Sequence, residues 1–338
     1  MRALRILTRD NAIDNHFCVR IIEAILPQSH MPERIVSAAS ALVNRFRRQR
    51  PLRCGSLIIT VFGDAIAPRG GAIALASLID VLAPFGVTER LVRTSVARLA
   101  TDDWLTSQRV GRLSEYRLSA SGRERFIEAT RRIYAGPTTS WTGRWTMVLV
   151  PRIATADRQR VRDLLRWEGF GELEAGVLVH PTLAPSEARA HLAVLGLADR
   201  VIVLSSQTVS STEDRRLVTE GWDLRDLAAR YVRFVRGFSP VLAALAGRAR
   251  VAPLSAFLVR TLLIHEYRKI HLRDPLLPPS LLPTRWPGTA AYELCATIYG
   301  KVFPAAEEHL SAVGARLDGR LPETDTSVYD RFAGLPHA

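Results

Sequence analysis

The chain has 338 residues, 47% of them hydrophobic, and a mean hydropathy of +0.05, which is globular material of two or three domains. No apolar run approaches the ~18 residues of a membrane span, and three distant cysteines (Cys18, Cys54 and Cys295) support neither a disulfide framework nor a metal cluster. A net charge of +13, with the excess concentrated in the first 140 residues, points to a polyanionic partner, because neutralised phosphates release counterions.

Over-use of arginine explains part of that charge, since Lys269 and Lys301 are the sole lysines, but not its concentration in one part. Residues 1–30 carry no firm periodicity, and Met31 would serve equally as a start. The apolar run Phe17–Pro27 is short, interrupted by Arg20 and Glu23, and lacks the flanks of a signal peptide. The chain is therefore expected to stay in the cytoplasm, away from any membrane.

Pro32–Arg53 reads as a basic helix with Ile35, Ala39, Leu42, Val43 and Phe46 on one side. Ser56–Ile66 and Ile73–Leu82 read as apolar helices, separated by Pro68-Arg69-Gly70-Gly71. Thr88 opens a third helix as a side-chain cap, with Glu89 in the first turn where the helix dipole favours it. Trp104–Val110 and Ser114–Leu118 alternate as strands around Gly111-Arg112, and Ser121–Tyr134 returns to helix. Three helices followed by a hairpin make a winged helix-turn-helix.

After the breaker Gly136-Pro137 the character changes. Trp145–Val150 is a buried-strand run, Thr155–Trp167 a helix, Phe170–His180 two short strands, Pro185–Leu195 a helix and Val201–Leu204 a strand. The order β-α-β-β-α-β is that of a ferredoxin-like sandwich. From Thr212 onward strands vanish, and Glu213–Phe238, Pro253–Leu272 and Thr289–Val313 read as long helices. The expected fold class is α+β, with an N-terminal extension over 1–53, a winged helix over 54–135, a ferredoxin-like middle domain over 141–206 and an all-helical C-terminal domain over 212–330.

On a helical wheel, Arg90, Arg93, Thr94, Ala97 and Arg98 share one side of the third helix and Val92, Val96 and Leu99 the other. That is the layout of a recognition helix, in which short polar residues reach base edges and arginines pair with guanine or phosphate. The hairpin adds Arg109, Arg112 and Arg117 for the flanking backbone or minor groove. A solvated basic helix shares the wheel; the order of the elements and the basic hairpin favour double-stranded DNA.

These residues resemble the PaaX family, the repressors of bacterial phenylacetate-degradation operons. The resemblance runs through Ser56–Gly71 (SLIITVFGDAIAPRGG), Glu89–Leu99 (ERLVRTSVARL), Arg109–Leu118 (RVGRLSEYRL), Trp141–Trp145, Trp167–Gly171 and Leu262–Gly288 (LLIHEYRKIHLRDPLLPPSLLPTRWPG), covering about residues 40–335. It implies the same three-part architecture, a middle domain like the small CRISPR-associated nuclease subunit, and a homodimer on a pseudopalindromic operator. It also implies phenylacetyl-CoA, an aryl-acyl-CoA, as the effector that releases DNA. That effector is expected to bind away from the DNA, between the middle and C-terminal domains, and neither a resident cofactor nor catalysis is expected. One departure is Leu113 where the family often has a second arginine, with Glu115 where it has an aromatic; an acid in the wing is expected to repel phosphate.

His265-Glu266-Tyr267-Arg268-Lys269 begins like a zinc-protease helix, but its fifth residue is Lys269 and not histidine, so a metal site fails on spacing. CoA needs cations for its phosphates, and its adenine a surface for stacking. Tyr267, Arg268, Lys269, Arg273 and Trp286 offer these, and equally the parts of a buried interhelix network. A nuclease needs carboxylates at the end of the first middle-domain strand, yet that strand runs into Pro151-Arg152 and the nearest acid is Asp157 in the next helix. A repressor sensing another CoA thioester or a free acid, a metal-dependent nuclease and a thioester hydrolase stay open as alternatives.

Overall fold

The computed structural model describes residues 31–136, 141–247 and 250–335; the run Phe17–Pro27, with Cys18, and Pro137 lie outside them. Helix α1 (Met31–Arg47) buries Ile35, Ala39, Leu42, Val43 and Phe46, a stripe recurring every three to four residues. Helix α2 (Cys54–Val61) buries Leu57, Ile58 and Val61 and runs on through a π-helical turn, Phe62–Ile66. The chain then turns at Gly70, with φ +85°, and Gly71.

A short strand β1 (Ala72–Ala74) intervenes before helix α3 (Leu75–Leu82), where the sequence suggests helix from Ile73. The strand is real because β3 offers it a partner: Ile73 faces Tyr116, and the Leu118 amide donates to the Gly71 carbonyl at 3.0 Å. Three residues are too few for a period-2 signal, so the long-range pairing decides. Helix α4 (Glu89–Thr101), strands β2 (Leu105–Val110) and β3 (Leu113–Leu118), and helix α5 (Ala120–Tyr134) follow, the sheet running β1-β3-β2 and antiparallel throughout.

Strand β4 (Trp145–Leu149), helix α6 (Thr155–Trp167), strands β5 (Gly171–Glu174) and β6 (Val177–His180), helix α7 (Pro185–Val194) and strand β7 (Ile202–Ser206) form an antiparallel sheet in the order β5-β6-β4-β7. Strand alternation sends Val148 and Leu178 to one face, against Val161, Leu165 and Leu192 of the two helices. Trp145 and Val179 go to the other face, against helix α8 (Ser211–Gly221) and Leu277 and Leu281 of the proline-rich loop. The sheet is thus covered on both sides.

The sequence suggests one helix over Glu213–Phe238, but the chain breaks at Trp222. That residue is extended, with its ring on Gly171 and its indole N–H bonded to the Gly169 carbonyl at 3.0 Å. Asp223 caps helix α9 (Leu224–Ala244) through the Asp226 amide. Helices α10 (Pro253–His271) and α11 (Pro287–Val313) complete the bundle. Strands do not vanish here: β8 (Ala315–Arg316) and β9 (Gly319–Arg320) form a small hairpin, four residues held by tertiary contact and too short for any pattern to show.

Helix α10 is buried on almost every side from Ser255 to Ile264, its polar Arg260 and Thr261 included, which marks a helix at the centre of a core. Its neighbours are α11, α9, α1, α2 and α5. One continuous hydrophobic cluster runs from Ile35 through Leu57, Val92 and Phe126 to Leu263, Ile298 and Leu335, so the N-terminal helices and the C-terminal bundle share a single core. Asp64, in the π-turn, knots them. Its carboxylate accepts from Arg260 Nε (2.7 Å), Tyr134 (2.6 Å), Tyr299 (2.8 Å) and Arg331 (3.0 Å). Arg260 also pairs with Glu307, which reaches Arg69 at 2.5 Å.

Candidate nucleic-acid interface

Helix α4 starts where the Thr88 hydroxyl accepts from the Leu91 amide at 3.4 Å. Gly86 precedes it at φ +77°, left-handed backbone that favours glycine at the tight entry into α4. Val92, Val96 and Leu99 are buried, while Arg90, Arg93, Thr94, Ala97 and Arg98 stand exposed on the other side.

Their local ties are weak. Arg93 reaches back to Glu89 at 2.7 Å, Arg98 lies 3.8 Å from Asp102, and the Thr94 hydroxyl donates to the Arg90 carbonyl at 2.9 Å. Exposed i,i+4 ion pairs contribute about 0.3–0.5 kcal/mol, little resistance to transfer onto a phosphate or a guanine. Arg90 makes no ion pair among the described residues.

The β2–β3 hairpin projects beside this helix. Its turn is Gly111-Arg112, with Gly111 at φ +60° and Val110 paired to Leu113; left-handed backbone at the first central residue is the pattern of a type II′ turn. Arg109 donates to the Gly111 carbonyl at 3.1 Å, and Arg112 is exposed without an ion pair among the described residues. Val110 and Leu113 at the tip are 56% and 59% exposed. The sequence marks Leu113 only as a departure from the family pattern; its pairing with Val110 as an exposed apolar tip is legible from two apolar residues flanking a two-residue turn with no core to enter.

Glu115 corrects the expectation of an acid facing phosphate. It is 3% exposed and turned into the protein, accepting from Arg117 at 2.5 Å and from the Leu317 amide at 3.0 Å, with Arg316 at 3.7 Å. Burial pushes its carboxyl up, but the Leu317 amide, Arg117 and Arg316 outweigh this and hold it below the usual glutamate range. Glu115 therefore fastens the hairpin to β8. Arg117 makes that contact through one nitrogen while its side chain stays 43% exposed.

The five residues named for an effector do not assemble. Tyr267 lies in the core, stacked on His271 at 4.8 Å. Lys269 pairs with Glu266 at 3.2 Å, Arg273 is exposed, and Trp286 packs edge-on to Tyr231 at 6.1 Å. Arg268 alone of the five lines the cavity between α2, α5 and α10, donating to Ser56 and Thr60 of α2 at 2.7–2.8 Å. His265 bonds Thr60 at 3.0 Å, and burial drives its ring pKa well down, leaving it neutral. Asp157 is bonded to Arg160 and Arg200 at 3.3 and 3.0 Å, and the described residues hold no group of three or more potential metal ligands. None of their helices is long and apolar enough to cross a membrane.

An exposed arginine face on a short helix, beside a projecting basic hairpin, is the equipment of a DNA-binding transcription regulator. Comparison with known proteins narrows the class. Models of the PaaX-like protein match residues 53–122, of the PaaX protein central Cas2-like domain 138–218, and of the PaaX-like protein C-terminal domain 222–312. The Transcriptional repressor PaaX of Escherichia coli (strain K12) is 36% identical over 289 residues, 84% of this chain and 92% of that protein. Among solved structures, the uncharacterized protein Rv0674 from Mycobacterium tuberculosis aligns with a TM-score of 0.44 at 23% identity, over 68% of this chain and 90% of that one. The chain belongs to the PaaX family.

Proposed function

We propose that this chain is a transcriptional repressor of a phenylacetate-type catabolic operon, acting on DNA in the cytoplasm as a homodimer. Residues 54–135 are read as a winged helix-turn-helix: α2, α3 and α4 in order, then the β2–β3 hairpin as its wing. Residues 141–206 are read as a ferredoxin-like sandwich, on the strand order β5-β6-β4-β7 with both helices on one face; the helical segment from 212 completes the molecule. No catalytic role is assigned.

The observation that carries the reading is the exposed face of α4. Arg90, Arg93, Thr94 and Arg98 read base edges in a major groove, and Arg109, Arg112 and Arg117 hold the flanking backbone. Two copies related by a two-fold axis would place two such helices on successive half-sites. Phenylacetyl-CoA is the effector, and it releases DNA because it binds the DNA-free form more tightly; that difference alone shifts the equilibrium.

A mobility shift on the DNA upstream of the protein's own operon tests this. Phenylacetyl-CoA, free phenylacetate and acetyl-CoA are titrated in turn. Release by phenylacetyl-CoA alone is the expected result; release by none of the three removes the effector from the reading, and no specific shift removes the repressor.

A further inference from the structure

Between α2 and α5 on one side and α10 of the C-terminal bundle on the other lies a cavity of about 370 Å³. Its walls are Ile133, Phe126 and Ala129 of α5, Ile59 and Gly63 of α2, and Ile264 and Leu272 of α10. Trp104, just after α4, and Trp167, at the end of α6, complete it. Gly63 is a built feature of this wall: a Cβ there would lie 2.7 Å from the Phe126 ring, so the glycine lets that ring lie flat against α2.

The aromatic walls are held in place. Trp104 meets Phe126 edge-to-face at 5.7 Å, with the Arg125 guanidinium over its ring at 4.8 Å. The Trp167 indole N–H donates to Glu128 at 2.8 Å, and Arg132 bonds the Trp167 carbonyl at 2.8 Å. One cation enters from α10. Arg268 uses Nε and Nη2 on Thr60 and Ser56, and among the described residues it has no carboxylate partner and Nη1 makes no hydrogen bond. Burial draws its pKa down to about 10, which leaves it charged at neutral pH.

A buried cation with no carboxylate bonded to it, in a largely apolar chamber whose two lining acids are already engaged (Asp64 by Arg260, Arg331 and two tyrosines, Glu128 by Trp167), favours an incoming oxygen acceptor. Ligand pockets run from about 300 to 1,000 Å³, and an apolar cavity of about 150 Å³ takes up one benzene, so the volume suits a single ring with a short side arm. We propose that this cavity is a ligand site for an aromatic ring bearing a carbonyl or carboxylate oxygen, the ring against Trp104, Phe126 and Trp167 and the oxygen on Arg268.

The site has a direct mechanical link to α4. The Trp104 amide donates to the Leu99 carbonyl at 2.9 Å, and the Trp104 carbonyl accepts from the Ser119 amide at 3.2 Å. Trp104 therefore ties the end of α4 to the end of the hairpin, and whatever fills the cavity presses on the residue that positions both. This regulatory consequence rests on the effector reading above; binding of the ring does not.

Two measurements separate the two ideas. In the first, isothermal titration calorimetry follows phenylacetate and butyrate on the full chain. Phenylacetate is expected to bind, with butyrate at least tenfold weaker. Ala129→Phe, which fills the chamber, should weaken phenylacetate at least tenfold; Ala129→Leu supplies a milder filling should the first variant not fold. No phenylacetate binding, or equal affinity in wild type and filled variant, overturns the site. In the second, phenylacetyl-CoA is added to the operator complex of each protein. Release of wild type but not of the filled variant is expected. Equal release of both places the effector elsewhere and overturns the site while the repressor reading stands. Release of neither, with phenylacetate still bound, keeps the site and removes the effector.

Discussion

Single side chains divide into those of α4 that face solvent, which the proposed function sets against DNA, and those that hold that face still. Arg93 belongs to the first kind. Its tie to Glu89 is exposed, so Arg93→Ala should leave thermal stability within about 0.5 kcal/mol, yet weaken specific DNA binding by about 1–3 kcal/mol. Glu115 belongs to the second. Its folded carboxyl sits below the ordinary glutamate value of about 4.3, so its stabilisation is complete above that value and is lost as pH falls through the folded one. Melting temperatures of wild type and Glu115→Gln, measured from pH 7 to pH 3, should differ most at neutral pH and converge on acidification; a constant gap contradicts the assignment. The sequence showed Glu115 as an acid among arginines and nothing of its direction, because its partners Arg316 and Leu317 lie 200 residues away.

Asp64 is the same lesson with larger consequences. Within SLIITVFGDAI it reads as one polar residue in an apolar helix, and no local pattern announces Arg260, Tyr299 and Arg331 around it. Asp64→Ala leaves two buried arginines without their shared carboxylate, a loss of about 3–5 kcal/mol, measurable as a lowered urea midpoint.

At the scale of elements, helix faces were legible and short strands were not. The wheel of α4 separates its buried and exposed sides correctly because i, i+3 and i+4 spacing is written in the chain itself. Strands β1, β8 and β9 owe their existence to distant partners, and Trp222 breaks a helical run because Gly171 leaves room for its ring. The hairpin tip shows what exposure adds. Val110 and Leu113 stand in solvent, where an apolar pair gains nothing from folding, and the proposed function would bring the tip against DNA. Replacing both with serine should leave the melting temperature unchanged and weaken DNA binding several-fold in fluorescence anisotropy; unchanged affinity would remove the tip from the interface.

Across the whole molecule, the shared core is the feature that composition could not reveal. Breaks in pattern near residues 53, 136 and 212 suggest separable pieces, but Leu57, Val92, Phe126, Leu263 and Ile298 belong to one cluster. A fragment of residues 54–135 would expose the faces that α10 and α11 cover, and the burial lost scales at about 25 cal/mol per Å². Circular dichroism of that fragment should show no cooperative melt; a sharp transition like that of the full chain would mean the head folds on its own. The same continuity joins the cavity at Trp104, Phe126 and Arg268 to both α4 and the bundle, as the proposed gating of DNA binding by a ligand requires.

The proposed repressor stands or falls with DNA reading by α4. Fluorescence anisotropy on the upstream region of the protein's own operon, at fixed salt and against scrambled competitor, compares wild type with Arg90→Ala and Arg93→Ala. Both variants are expected to lose at least about fivefold in specific affinity with thermal stability intact. Wild-type affinity in both variants would contradict DNA reading by α4.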